Sequence, residues 1–321
     1  MSNNPSLSPR VGGAPDSTAS LATTGILLMI GFSILGPVID VFGKLATSEV
    51  PAAEITLGRF TVQTLLLIPI VIWRKALIAL SIQELMQHIA RGVLMATATV
   101  FFFSALKYMP IADAISIFFV EPMILTLLGG LFLGEPVGWR RYAACAVGFA
   151  GALIVIQPSF SELGWVSALP LGTALCFAFY LVLTRSMAQK VDPFAMQAYS
   201  GISGAIFIAL VLWAFEGTGD ITFDPVWPSN YAIRLLIGVG VAATFAHMLI
   251  VYAFRYAPAS VLAPLQYLEI VSATIFGYLI FDDRPDPTKW IGVAIIIGSG
   301  LFIFARERAA AQRDSPNSVT N

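Results

Sequence analysis

Ala105-Leu-Lys-Tyr-Met-Pro-Ile-Ala-Asp113, followed by Ile115-Ser-Ile-Phe-Phe-Val120 and Glu121-Pro122, occurs twice in this chain in recognisable form. The second version reads Ala253-Phe-Arg-Tyr-Ala-Pro-Ala-Ser260 and runs on through Val261 and Pro264 to Leu265-Gln-Tyr-Leu-Glu269. Ala105 and Ala253, Tyr108 and Tyr256, Pro110 and Pro258, and Glu121 and Glu269 all stand 148 residues apart (269 − 121). Each copy buries one carboxyl group in an otherwise apolar stretch. A carboxylate in hydrocarbon is costly unless it is hydrated, paired or protonated, so intramembrane acids usually line a pathway. A duplicated element of this kind points to a membrane transporter with its site where the copies meet.

Composition agrees. Of the 321 residues 57% are hydrophobic and 12% charged, about half the charged share of an ordinary soluble domain. Ten apolar runs are long enough to span a bilayer: 22–43, 53–73, 89–106, 111–133, 140–157, 164–184, 194–215, 232–254, 259–281 and 289–305. The fold class expected is therefore an all-α membrane protein of ten transmembrane helices, built as two five-helix repeats at 22–157 and 164–305. Residues 1–21 and 306–321 read as polar cytoplasmic tails. The first tail lacks the basic start and short apolar core of a signal peptide.

Basic residues set the orientation. With both termini cytoplasmic, Arg10, Arg74, Lys75, Arg91, Arg140, Arg141, Arg185, Lys190, Arg255, Arg306, Arg308 and Arg313 fall inside. Only Lys44, Lys107, Arg234, Arg284 and Lys289 fall outside, in keeping with the positive-inside rule. An odd number of spans per copy turns the second copy upside down, and an inverted repeat supports two related conformations, each open to one side.

Other classes lack their signatures. No GxxxxGK[ST] is present, which argues against a primary pump. No HExxH, GxSxG or histidine cluster is present, so an intramembrane enzyme is disfavoured. No metal or cofactor is expected, Cys145 and Cys176 read as buried packing, and nothing suggests nucleic-acid binding. The expected partners are a small-molecule substrate and the lipid bilayer. Ala144, Gly148 and Ala152, with Ala294 and Gly298, form small-residue stripes that suit close packing within the chain or in a homodimer.

The signature at 105–115, the Leu133-Gly-Glu135 ending of the fourth run and Gly148 resemble the EamA family of the drug/metabolite transporter superfamily. The resemblance extends over nearly all of 22–305. It implies a bacterial inner-membrane permease whose central cavity is lined by helices 1, 3, 4, 6, 8 and 9. One departure is Glu121, where many relatives carry an uncharged residue. The wording of both signatures resembles branches that take up flat, ring-containing metabolites, riboflavin first and S-adenosylmethionine second, with export of amino acids or other metabolites as the alternative.

Candidate substrate-binding or coupling residues follow. Glu121 and Glu269 each fall about eleven residues into a span, near the midplane at ~1.5 Å of rise per residue. Each either faces a wet cavity or clamps two helices. Asp40 follows Gly36-Pro37, a pair that loosens a helix. Arg59 is expected to reach Asp40 or Glu121 on another helix as an internal ion pair, or else to bind an anion. His247 can relay a proton or hydrogen-bond a neighbouring helix. Tyr180, Gln266 and Tyr267 offer polar tips, and Phe101 and Phe118 offer faces for stacking on a planar substrate. His88, outside the runs, is expected to be solvated.

Overall fold

A computed structural model of the chain describes residues 16–76, 80–132, 139–187, 191–256, 265–266, 268–284 and 287–313. Among them the elements are helical, with no strand: α1 (Asp16–Ala46), α2 (Ala52–Trp73), α3 (Ile82–Leu106), α4 (Ile111–Phe118), α5 (Glu121–Phe132), α6 (Trp139–Leu163), α7 (Leu169–Met187), α8 (Pro193–Phe215), α9 (Asn230–Tyr256), α10 (Leu268–Phe281) and α11 (Pro287–Arg313). A 3₁₀ turn at Gly164–Ala168 joins α6 to α7. Six described segments are long and apolar enough to cross a membrane, and Leu268–Phe281 and Trp290–Ser299 are shorter apolar helices. The chain is a multi-pass membrane protein.

Local chemistry sets the ends. Ser81 and Glu84 form a reciprocal capping box, with Glu84 N–H donating to Ser81 Oγ at 3.3 Å and Ser81 N–H to Glu84 Oε2 at 2.9 Å. That cap starts α3 seven residues before the apolar run suggests (89 − 82). Asp192 caps α8 by accepting from Phe194 N–H at 3.0 Å and Ala195 N–H at 3.3 Å, with Pro193 pre-set for the first turn. The loop before α9 turns on Gly217 and Gly219, at φ +77° and +74°, whose N–H groups both donate to Asp224.

The fourth run is not one helix. Pro122 has no N–H to give the carbonyl of Phe118, and its ring crowds that carbonyl, so the helix is interrupted at Phe119–Val120. Glu121 therefore opens a second half-helix in the middle of the run instead of sitting inside a continuous helix. Glu269 lies in the first described turn of α10, next to Leu265 and Gln266, which are also helical; Tyr267 is outside the described residues. Broken helices at membrane depth are tolerated where the freed backbone lines a cavity or is buried in protein.

The principal packing pairs cross the chain: α1 on α9 and α10, α2 on α8 and α9, α3 on α7 and α8, α4 and α5 on α7, and α6 on α11. The core follows these contacts, with its largest cluster drawing on α1, α3, α4 and α9. The α6 stripe is used within the chain, because a side chain at Gly148 would collide with Met123 and Ser299. Trp73, Trp139, Trp165 and Trp213 are exposed near helix ends, as amphipathic rings at a headgroup boundary would be.

One expectation fails on α3. His88 is buried, beside the Tyr199 ring at 4.9 Å, and is not solvated. Arg91, counted above among the basic residues of the inner side, is 1% exposed and sits between α3, α7 and α8.

Candidate functional site

Helix α1 carries Pro37 in its interior, so the carbonyl of Ser33 loses its usual donor. The Ser272 hydroxyl of α10 supplies the missing bond at 2.6 Å. The side chain of the same serine, Ser33 Oγ, donates to the Leu265 carbonyl at 3.0 Å. Gly36 completes the fit, since a Cβ there would lie 2.6 Å from Glu269 Oε1. The Ser33–Pro37 turn of α1 thus bonds α10 and leaves the space that the Glu269 carboxyl occupies.

That carboxyl lines a cavity among the helices. Asp40, Arg59, Phe118, Glu121, His247, Gln266 and Glu269 all line it, bringing together seven of the ten candidates from α1, α2, α4, α5 and α9, and from residues 265–269. Phe32, Phe102, Phe103, Phe119 and Phe177 supply most of the apolar wall. The Phe118 ring meets Phe102, Phe119 and Phe177 edge-on, at centroid distances of 6.2, 5.9 and 5.5 Å, the geometry aromatic quadrupoles favour.

Arg59 bonds differently from expectation. Its Nη1 donates to Thr99 Oγ1 and its Nη2 to His247 Nε2 at 2.6 Å. A guanidinium has no acceptor, so His247 Nε2 is the acceptor here and Nδ1 carries the ring proton. Asp40 and Glu121 share the cavity wall with Arg59, while these two bonds hold its end. The Arg59 Nε–H is buried without a hydrogen-bond partner among the described residues. Thr99 can accept because its own proton goes back to the Met95 carbonyl at 2.7 Å.

Two candidates lie elsewhere. Phe101 packs against α7, in the space left by Gly172. Tyr180 belongs to the Arg91 cluster, where it accepts from Arg91 Nη2 and donates to Gln197 Oε1, both at 3.1 Å. Tyr267 lies outside the described residues. The sequence reading missed Thr173 and Phe177, which face the cavity from α7; their spacing of four, matching one helical face, was the available signal.

Comparison with known proteins fits this geometry. The model of the EamA-like transporter family matches residues 23–157 and again 164–305. This chain belongs to the EamA-like transporter family. The EamA-like chain is 27% identical over 290 residues to a riboflavin transporter of Rhizobium johnstonii, covering 90% of this chain and 93% of that one. It is 26% identical to an S-adenosylmethionine uptake transporter of Rickettsia prowazekii, covering 84% and 88%. It is 27% identical to a pseudopaline exporter of Pseudomonas aeruginosa, covering 86% and 94%. A solved crystal structure matches with a TM-score of 0.58 at 19% identity, over 94% of this chain and all of that one; this likeness concerns the fold alone.

Proposed function

We propose that this EamA-like protein moves a small, ring-bearing organic metabolite across the bacterial inner membrane by alternating access, using the aromatic cavity as its site. The observation that carries the reading is the convergence of Asp40, Arg59, Glu121, His247 and Glu269 on one space walled by phenylalanines. Charged and polar side chains at membrane depth are expensive and are kept where they meet a solute or an ion.

The packing pairs support two related halves. Pairing each of the first five spans with the corresponding span of the second copy, the α1–α9 contact answers α3–α7, α1–α10 answers α5–α7, and α2–α9 answers α3–α8. In this reading residues 22–157 and 164–305 form inverted five-helix repeats that rock about Glu121 and Glu269. Both termini are then cytoplasmic. The reading needs no second copy of the chain, because Gly148 is already filled from within.

Riboflavin and S-adenosylmethionine are the first compounds to test, since relatives are named for them. A preference for riboflavin rests on the aromatic residues and on a cavity without surplus charge; the phenylalanine wall supports the first ground, and three carboxyl groups against one guanidinium weaken the second. The experiment is counterflow into sealed proteoliposomes preloaded with either compound or with tryptophan. Exchange that vanishes when the vesicles are permeabilised is expected. Turnover of a compound in detergent without any exchange would turn the reading toward an enzyme.

A further inference from the structure

The cavity lining holds acidic and basic groups in unequal number. Its carboxyl groups, Asp40, Glu121 and Glu269, come from α1, α5 and α10, while its single guanidinium, Arg59, comes from α2. His247 adds no positive charge, because its Nε2 accepts from Arg59. The lining thus offers three carboxyl groups and one guanidinium to whatever enters it.

Arg59 has a donor to spare. It is 6% exposed, it lines the cavity, and its Nε–H has no hydrogen-bond partner among the described residues. An unmet donor on a buried cation is costly unless something else accepts from it. A carboxylate is the group a guanidinium recognises best.

The rings complete the description. Phenylalanine faces attract organic cations, onium centres above all, and also cover flat rings. A wall that combines phenylalanines with excess carboxyl groups is built for a positive centre attached to apolar structure.

Resting on the transporter reading above, we propose that the transported metabolite is a ring-bearing zwitterion: an anionic group taken by Arg59, a cationic ammonium or sulfonium centre taken by Asp40, Glu121 and Glu269, and a ring covered by the phenylalanines. An uncharged ring compound satisfies neither pole. A simple organic cation leaves Arg59 unmet, and a simple anion meets three carboxyl groups.

The test compares each zwitterion with analogues that lack one pole. One set is tryptophan, tryptamine and indole-3-propionate. The other is S-adenosylmethionine and its decarboxylated form, with riboflavin as the uncharged ring. Binding is read from thermal shifts of the full-length protein in detergent, and transport from counterflow in sealed vesicles. At least one zwitterion is expected to bind about tenfold or more tighter than its single-pole analogues, because a site built around a polar group rejects the analogue lacking it. Arg59→Lys should erase most of the preference for the carboxylate-bearing member; should that variant fail to fold, the wild-type panel still decides. Riboflavin exchanging as well as or better than every zwitterion would overturn the substrate class and leave the transporter reading standing. Single-pole analogues binding as tightly as their parents would overturn it too. No compound binding or exchanging would count against both.

Discussion

Two arginines are buried in this bundle, and they are used in opposite ways. Arg91 spends all five of its donors on neutral acceptors: Thr184 Oγ1 at 3.1 Å, the Met196 carbonyl at 3.2 Å, Ser200 Oγ at 2.8 Å, Tyr180 OH at 3.1 Å and Gln197 Oε1 at 3.5 Å. Its guanidinium also lies 4.8 Å from the Tyr180 ring. Arg59 makes two such bonds, keeps Nε–H in hand and borders a cavity with three acids. The first is a clamp that fastens α3 to α7 and α8. The second, on the transport reading proposed above, is the group that meets the solute. Burial alone does not mark a site; an unspent donor beside open space does.

The sharpest way to break this contrast is Arg91→Met. The substitution strands Tyr180, Gln197 and Ser200 in a buried setting, and about 3 kcal/mol or more of stability should be lost. Melting in detergent is the measurement, and a melting point within a degree or two of wild type would deny Arg91 its role. Arg59→Gln should do the reverse, lowering exchange in sealed vesicles by roughly tenfold or more while the melting point moves little. Equal unfolding in both variants would erase the distinction.

Gly36→Ala comes next. The new methyl must displace the Glu269 carboxyl, so exchange should fall several-fold, with about 1–3 kcal/mol of overpacking. Transport at the wild-type rate would show that the position of Glu269 does not matter. Glu269→Gln preserves the shape and removes the charge. It should slow net transport and change its profile between about pH 5 and pH 8, where a titratable group would be felt. The smallest effect belongs to Lys44→Met. Lys44 pairs with Asp283 at 3.0 Å and donates to the Met109 carbonyl at 3.0 Å, but the pair is partly exposed, so about 1 kcal/mol or less is at stake.

Much of this was legible beforehand, for identifiable reasons. The two acids stood out because they recur at one spacing in apolar sequence, and both line the cavity. Gly36-Pro37 announced a weakened helix, though only coordinates reveal that Ser272 mends it. The break before Glu121 was signalled by Pro122, but the length of the apolar run hid it. Partner choice was not legible. Helical periodicity says which way Arg59 points along its own helix, not that Thr99 and His247 are the groups it meets. His88 looked like a surface residue because it sits just outside an apolar run, and nothing near Arg91 in sequence announced its partners. Their burial depends on α7 and α8, which arrive from far along the chain. Phe101 failed as a cavity residue for a similar reason: of three adjacent phenylalanines, the neighbouring helix decides which faces inward.

The central claim is that these charged groups surround a solute path that water can enter. It is tested most directly by placing a cysteine at Gln266 in a background lacking Cys145 and Cys176, then adding a membrane-impermeant thiol reagent to the reconstituted protein. The account predicts that Gln266→Cys is labelled and that a transported zwitterion slows the labelling. A folded, transport-active variant that stays unlabelled from either side of the membrane would contradict it.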